Sequence, residues 1–373
     1  MISRAARVPA PVYFVLAGLV VGAIPGIGVI RLPPDVVFYG FLPPLLYAAA
    51  FQTAPLEARA NWREILVLAF GLTAATLFVV GGIAWAFVGA LGGAAAFVLG
   101  AVLAPTDPVS ATTVIGKSAA PSRLRTILES ESLVNDGIGL VAFSVAVTAA
   151  THGTFSVVDG IVKFLQLSAG GVAFGLALGF VVERLRRRVH ALPVEAAVSV
   201  ATPYVAYIAA DRLHVSGVLA TVAVGIYLGW RFDHRAELLT FWNVLTFVLS
   251  SALFVLLGAQ LRPVVRGLHG YSPWTLARDA ALVFAAVMLV RAVWVLVMPH
   301  GSWRDRVVLG WAGMRGALSL AAALSIPAAV VHRNEILFLT FTTIVGGLLL
   351  LAVPFPWLLD RLERPDVEFR RAG

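Results

Sequence analysis

The chain has 373 residues and a mass of 39.5 kDa, with 60% of its residues in the apolar set AVILMFWYC and only 13% charged. Soluble domains are about 45–50% apolar and about 25% charged, so this composition excludes a pair of ordinary soluble domains. It predicts an all-α polytopic membrane protein. The absence of cysteine excludes disulfides, thiol nucleophiles and Cys-ligated metal clusters.

The apolar stretches, taken in chain order, predict about twelve transmembrane helices, because one span takes about 20 mainly apolar residues. The predicted segments are 9–29, 36–53, 64–89, 92–116, 124–150, 157–182, 192–210, 215–230, 237–260, 274–299, 304–331 and 334–359. No polar linker between them is long enough to divide domains. We therefore expect a single transmembrane domain over 1–373, without a soluble C-terminal domain.

The basic residues predict how the chain is oriented. Nineteen of the 28 Lys and Arg residues fall on the side of the N-terminus and seven on the other side, while Arg291 and Arg315 lie inside apolar segments. Positive charge is retained in cytoplasmic loops, so both termini are expected in the cytoplasm. The net charge of +8 is then explained by loops beside membrane lipid, with no nucleic-acid partner. The cluster at 184–188 is expected to contact anionic lipid.

The fourth segment places Asp107 between Pro105 and Pro108, at membrane depth. Each proline removes a helix donor and frees a carbonyl group upstream. Unwound backbone at this depth is tolerated only inside protein or beside a water-filled cavity, where freed carbonyls could bind a cation. A simple proline kink that lets Asp107 reach the interface is the alternative.

The fifth segment carries a patch of oxygen-bearing side chains. At helical spacing Glu131 lies over Asn135, and Ser132 lies over Asp136. Hard cations such as Na⁺ prefer these oxygens, and carboxylates can also take a proton. Solvated acids at a helix end are the alternative, which suits Glu129 but not Asp136, because a long apolar stretch follows Asp136.

Two arginines at membrane depth need buried anions, since intramembrane charge is costly and arginine stays protonated. Arg291 is expected to pair with Glu131, the alternative being that it reaches the interface. Arg315 lies between Gly313 and Gly316, which weaken a helix, so the eleventh segment is a second candidate for a broken helix. It comes seven segments after the fourth segment, the first candidate for a broken helix. This spacing fits inverted repeats.

Four motifs together resemble the cation:proton antiporter-1 family, the NhaP and NHE type of sodium/proton exchanger, in its bacterial members. They are Phe41-Leu42-Pro43-Pro44-Leu45-Leu46-Tyr47, Ala104-Pro105-Thr106-Asp107-Pro108, Glu131-Ser132-Leu133-Val134-Asn135-Asp136 and Gly313-Met314-Arg315-Gly316. The similarity runs from about Val8 to about Pro356. The family usually has thirteen helices and often a long cytosolic tail, so we expect this chain to lack the first helix and the tail.

The resemblance implies a secondary active antiporter that exchanges Na⁺ for H⁺, with two crossed broken helices, and a homodimer in the bacterial inner membrane serving pH homeostasis. It implies that Asp136 is the carboxylate shared by the ion and the proton. The residues that it implies as ligands or their supports are Thr106 (through its carbonyl), Asp107, Ser132 and Asn135. It also implies a Glu131–Arg291 pair, and Arg315 as the charge that compensates the half-helix ends.

In the family, an Asn-Asp pair accompanies electroneutral exchange, so Asn135 before Asp136 implies one proton per cation. No cofactor and no ATP are expected, since no GxxxxGK[ST] motif occurs. The alternatives are a potassium/proton exchanger, a cation channel of related architecture, an intramembrane enzyme and an inactive remnant. An enzyme would need a nucleophile with a base, or metal ligands, and neither set is found. A channel would favour rings of carbonyls or carboxylates, rather than one Asp136.

Overall fold

The computed structural model describes residues 9–24, 33–53, 55–89, 91–107, 111–112, 115, 122–152, 157–188, 191–231, 236–268, 270–298 and 301–363. In these ranges the chain is helical and forms no β-strand. The first helices are α1 (Ala10–Ala23), α2 (Leu42–Gln52), α3 (Pro55–Ala60), α4 (Trp62–Leu66), α5 (Thr73–Phe87), α6 (Gly93–Leu103), α7 (Ser122–His152) and α8 (Val157–Arg186). They are followed by α9 (Leu192–Arg212), α10 (Gly217–Arg231), α11 (Ala236–Ala259), α12 (Leu261–Arg266), α13 (Pro273–Val297), α14 (Trp303–Trp311), α15 (Ala317–Leu324), α16 (Arg333–Gly347) and α17 (Phe355–Glu363).

Among the described residues, six helical stretches are long and apolar enough to cross a membrane, which confirms an integral membrane protein. They cover Trp62–Phe87, Arg123–Thr151, Val158–Arg186, Leu238–Arg266, Pro273–Val297 and Arg333–Leu362. Three of the other apolar segments form shorter helical stretches, which cover Ala10–Ala23, Val36–Gln52 and Gly217–Arg231. π-Helical turns at Val36–Phe41, Val67–Leu72 and Leu348–Ala352 continue into neighbouring α-helices.

Two of the twelve predicted segments are interrupted in the middle. The segment predicted over 92–116 is helical over Gly93–Leu103 and again at 111–112 and 115, with non-helical residues 104–107 after the first part. The segment predicted over 304–331 is divided by non-helical residues 312–316, which separate α14 from α15. Pro105, Gly313 and Gly316, all identified in the sequence, lie at these interruptions. Pro108 lies outside the described residues.

Small residues let the helices approach each other closely. Gly18 of α1 faces the backbone of Val255 and Gly258 in α11, so that a Cβ atom there would clash with main-chain atoms. Gly175 of α8 meets Ala220 of α10 in the same way. Membrane helices associate through such contacts, because lipid offers no hydrophobic driving force.

The arginine cluster at 184–188 differs in one member from the expectation that it contacts lipid. Arg184, Arg187 and Arg188 are exposed, but Arg186 is buried and donates to Glu195 Oε1 at 2.6 Å. Arg186 thereby joins the end of α8 to the start of α9. The expectation is wrong for this residue because a charged loop sequence does not reveal which arginine meets a buried acid.

Candidate ion-binding site

The two interruptions meet at the centre of the molecule. The backbone N–H of Asp107 donates to the carbonyl of Met314 at 2.9 Å, so the non-helical parts of the two segments are joined directly. Arg315 is buried, and its Nε donates to the carbonyl of Leu103 at 2.9 Å. Another Arg315 nitrogen, Nη1, donates to the Gly313 carbonyl. The last carbonyls of a helix have no partner within it and carry partial negative charge. Arg315 supplies both a donor and a positive charge at the end of α6.

Gly316 makes room for Asp107 at this junction. A Cβ atom built on Gly316 would lie 2.5 Å from Asp107 Cβ, which is closer than real Cβ contacts come. Gly313 is constrained in the same way by the side chains of Arg291 and Arg315. These glycines therefore set how closely the second interruption approaches the acidic residue of the first.

Thr106 is held by side chains of α7. The Ser132 hydroxyl donates to the Thr106 carbonyl at 2.7 Å, and Asn135 Nδ2 donates to Thr106 Oγ1 at 2.7 Å. The Thr106 N–H lies 3.4 Å from Asn135 Oδ1, which completes a two-way contact. Asn135 is 1% exposed. The side chain of Asn135 therefore fixes the unwound backbone at Thr106, where α6 has no helical hydrogen bonds to offer.

Glu131 and Arg291 form a closed ion pair, as the sequence predicted. Arg291 Nη1 and Nη2 donate to the two Glu131 oxygens at 2.7 and 2.9 Å. Each side chain is 1% exposed. Arg291 Nε donates to the Leu309 carbonyl at 2.8 Å, beside the end of α14. This forked geometry occupies both carboxylate oxygens and leaves Glu131 no access to water.

Asp107 and Asp136 face an open space instead. Both side chains are partly exposed and line a cavity of about 560 Å³. Thr106 and Ser132 line the same cavity, whereas Asn135 does not. Asp136 makes no hydrogen bond or ion pair with the residues that the structure describes. The cavity therefore brings together four of the five residues predicted to bind the ion or the proton.

The cavity opens toward the start of α7. Arg125 and Glu129, an exposed pair with 2.8 Å between Nε and Oε1, line its outer part. The start of α7 lies beside the start of α14, because Arg123 Nη1 is 3.2 Å from Asp305 Oδ2. This is the side that the arginine count predicts to be cytoplasmic.

One wall of the cavity was missed in the sequence. Polar side chains of α11, a largely apolar helix, face the space. They are Asn243, Thr246, Ser250 and Ser251. The first three are three and four residues apart, so they share one helical face. That spacing is the signal that could have identified them, and it places hydroxyl and amide groups opposite the carboxylates.

The fold and this cluster define a class: a helical integral membrane protein with ionisable side chains gathered at two joined helix interruptions. The chain belongs to the sodium/hydrogen exchanger family, whose transmembrane model matches residues 1–361. The resemblance seen in the four sequence motifs is thus confirmed.

Individual relatives agree with this family. An uncharacterised Na⁺/H⁺ exchanger of Mycobacterium tuberculosis is 34% identical over 395 residues, covering 96% of this chain and 71% of the relative. A sodium, potassium, lithium and rubidium/H⁺ antiporter of Bacillus subtilis is 31% identical over 388 residues, covering 95% of this chain and 58% of the relative. These names are those of transporters rather than enzymes.

The fold also matches a solved structure. The sodium proton antiporter MjNhaP1 from Methanocaldococcus jannaschii superposes with a TM-score of 0.80, over 97% of this chain and 94% of that chain. The two sequences are 22% identical, so the likeness shows the fold alone.

Proposed function

We propose that this protein is a secondary antiporter that exchanges a monovalent cation for a proton, with Asp136 as the group that binds each in turn. The supporting observation is the contrast between two carboxylates that lie five residues apart on α7. Glu131 is closed off by Arg291, whereas Asp136 lies on the cavity wall without an ionic partner among the described residues. Asp136 is thus the acid that can exchange a proton for a cation delivered through water.

The ligand set follows from what lines the cavity. A cation beside Asp136 would find the Asp107 carboxylate, the Ser132 hydroxyl oxygen and the second lone pair of the Thr106 carbonyl. Asn135 would act through Thr106, because its amide is already bonded to that residue and does not reach the cavity. These ligands are all oxygen atoms, which hard monovalent cations prefer.

Exchange would be electroneutral. With Glu131 held ionised by Arg291 and Asn135 unable to titrate, Asp136 is the proposed carrier of one proton or one cation. The substrate is proposed to be Na⁺, with Li⁺ or K⁺ as alternatives. The name of the Bacillus subtilis relative includes all three of these ions, so the family resemblance does not restrict the choice.

Access to the site would alternate between the two membrane faces. The joined interruptions, with Arg315 on the end of α6, are the proposed counterpart of crossed half-helices in an inverted repeat of about twelve helices. In the conformation described here, the cavity opens at the start of α7, which is the side proposed to face the cytoplasm. By family resemblance, we further propose a homodimer in the cell's inner membrane, with cytoplasmic termini and a part in pH homeostasis.

The test is exchange in proteoliposomes that contain a pH-sensitive dye. Addition of Na⁺, Li⁺ or K⁺ to vesicles with an acidic lumen should alkalinise the lumen, and the half-saturating concentrations should rank the three ions. Ser168→Ala, outside the cavity, is a matched control that should exchange at the wild-type rate. Absence of cation-dependent proton movement with all three ions would overturn the proposal.

A further inference from the structure

A second group of buried acids lies at the opposite end of the molecule from the cavity mouth. Asp279 of α13 and Glu335 of α16 are each 1% exposed. Asp279 is twelve residues before Arg291 on the same helix, which is about 18 Å at 1.5 Å per residue. The end of α13 lies beside the start of α14, where Arg306 Nη1 donates to the Leu296 carbonyl. The start of α13 therefore points to the other membrane face.

Helices α13 and α16 pack against each other, and the charge of Asp279 acts on Glu335. Of these two acids, within the described structure, only Asp279 has a guanidinium partner. Arg278 Nε and Nη2 both donate to Asp279 Oδ1, at 2.9 and 2.7 Å, and the Arg278 side chain is 55% exposed. Glu335 has no such partner, and its buried Oε2 accepts no hydrogen bond within the described structure. Two buried negative charges beside one half-exposed cation leave a deficit of positive charge, which a proton would supply.

His332 stands at the edge of this cluster and is open to solvent. Its side chain is 32% exposed, and its Nδ1 lies 3.7 Å from Glu335 Oε2 and 3.1 Å from the Tyr271 hydroxyl. His332 and Tyr271 also line a surface cavity of about 400 Å³. Burial beside Glu335 raises the pKa of Tyr271, so its hydroxyl keeps its proton. Protons from solvent can therefore reach Nδ1, which faces the buried carboxylate.

The remaining charged groups around Glu335 do not neutralise it. Arg333 is engaged elsewhere, since its Nε and Nη2 donate to the carbonyls of Ile326 and Leu324 at the end of α15. On α12, Arg262 Nη1 donates to the Ile24 carbonyl, and Arg266 is exposed. Helices α6 and α15, which also pack against α16, carry no ionisable side chain.

We propose that Glu335, Asp279 and His332 form a second proton-binding site, separate from Asp136 and open to the membrane face opposite the cavity mouth. The proton is held between the Glu335 carboxylate and His332 Nδ1, which lies 3.7 Å from Oε2. Loss of this proton leaves the carboxylates of Asp279 and Glu335 facing each other. The site thus couples the packing of α13 against α16 to the pH on that face.

The sign of the effect on stability follows from this bound proton. A proton held by the folded cluster stabilises the protein at low pH, and that contribution disappears as the pH rises through the titration of the cluster. Glu335→Gln mimics the protonated acid permanently. At alkaline pH, where the melting temperature of the wild type falls, the melting temperature of Glu335→Gln should fall less.

The experiment measures melting temperature against pH for the purified full chain in detergent, without a cation gradient. The wild type should lose stability toward alkaline pH, and both Glu335→Gln and Asp279→Asn should reduce that loss, because each removes one of the two facing charges. His332→Asn, which tolerates the left-handed backbone at φ 60°, should shift the pH of the transition. Asp159→Asn, an exposed acid, is the matched control and should follow the wild type.

Infrared spectroscopy provides a second measurement that is independent of stability. At neutral pH the wild type should show the carbonyl stretch of a protonated carboxyl group, and Glu335→Gln should lack this component, whereas Asp159→Asn and Asp136→Asn should retain it. The proposal would be overturned if Glu335→Gln kept the wild-type infrared signal. It would also be overturned if Glu335→Gln lost as much melting temperature at alkaline pH as the wild type does. Neither readout requires transport, so failure here is distinguishable from failure of the exchange proposed for Asp136.

Discussion

The polar centre of this protein has two halves that differ in access to water. In the closed half, Glu131 and Arg291 satisfy each other in a bidentate pair, and Asn135 fixes Thr106. In the open half, Asp107 and Asp136 line the cavity. The residue types alone do not separate these halves, because each contains acids and neutral polar groups. What separates them is that a buried arginine closes off Glu131 from water, whereas Asp136 faces the cavity. This contrast indicates which charges hold the fold and which remain available to an ion.

The largest effect is expected in the open half. Asp136→Asn removes both the charge and the titration of the proposed carrier, so cation-driven proton movement in proteoliposomes should fall to the level of empty vesicles. Its melting temperature should stay near that of the wild type, since Asp136 has no ionic partner among the described residues to lose. Exchange at the wild-type rate in this variant would contradict the proposed role.

The closed half should instead respond in stability. Arg291→Ala or Glu131→Ala leaves an uncompensated buried charge, at a cost of about 3–5 kcal/mol, and the double change should cost less than the two single losses together. The matched control is the exposed Arg125–Glu129 pair, whose disruption should cost at most about 1 kcal/mol. Melting temperatures of the four single variants and two double variants would measure both cycles. Additive losses at Glu131 and Arg291 would show that the pair does not contribute as a unit.

The junction between the halves is sensitive to volume. Gly316→Ala adds a methyl group against Asp107, and such overpacking costs about 1–3 kcal/mol. We expect reduced exchange, because the Asp107 carboxylate must move from the cavity wall. Gly310→Ala is the control on the preceding helix, since no atom lies within 4 Å of a Cβ built there. Equal effects of the two substitutions on transport would exclude a specific role for the close approach at Gly316.

The smallest effect is expected on the α11 wall. Ser250→Ala removes one hydroxyl group that faces the cavity, worth about 0.5–1.5 kcal/mol, or roughly a two- to tenfold change in the half-saturating cation concentration. The maximal exchange rate should stay unchanged, because the Ser250 hydroxyl lines the cavity that leads to Asp136 and is not part of the carboxylate that binds the cation. Ser168→Ala is the control outside the cavity. A wild-type concentration dependence in Ser250→Ala would show that this wall does not interact with the cation.

Much of the site could be predicted from local sequence. The flanking prolines indicated unwound backbone at Asp107, and helical spacing placed Ser132 beside Asp136; Thr106 was named only through the family resemblance. The partner of Arg291 was predictable because few charges lie at membrane depth. These inferences need only the covalent order and the cost of burying charge.

Other features depend on tertiary packing and could not be predicted in this way. Asn243 and Ser250 lie in a segment that is apolar overall, and they become a cavity wall only because α11 faces α7. In the sequence Arg186 cannot be distinguished from its exposed neighbours, because its partner Glu195 lies on α9 and meets it only in the folded chain. The cluster of Asp279 and Glu335 joins two segments whose acids lie far apart in sequence, so no local pattern connects them.

Proton release on cation binding tests the central claim most directly. Purified protein in detergent and weak buffer, with a pH indicator, should release about one proton for each Na⁺ that binds at Asp136, and Asp136→Asn should release none. Glu335→Gln should release as many protons as the wild type, because its acid lies outside the exchange site. Release that persists in Asp136→Asn, or cation binding to the wild type without proton release, would contradict a shared carboxylate.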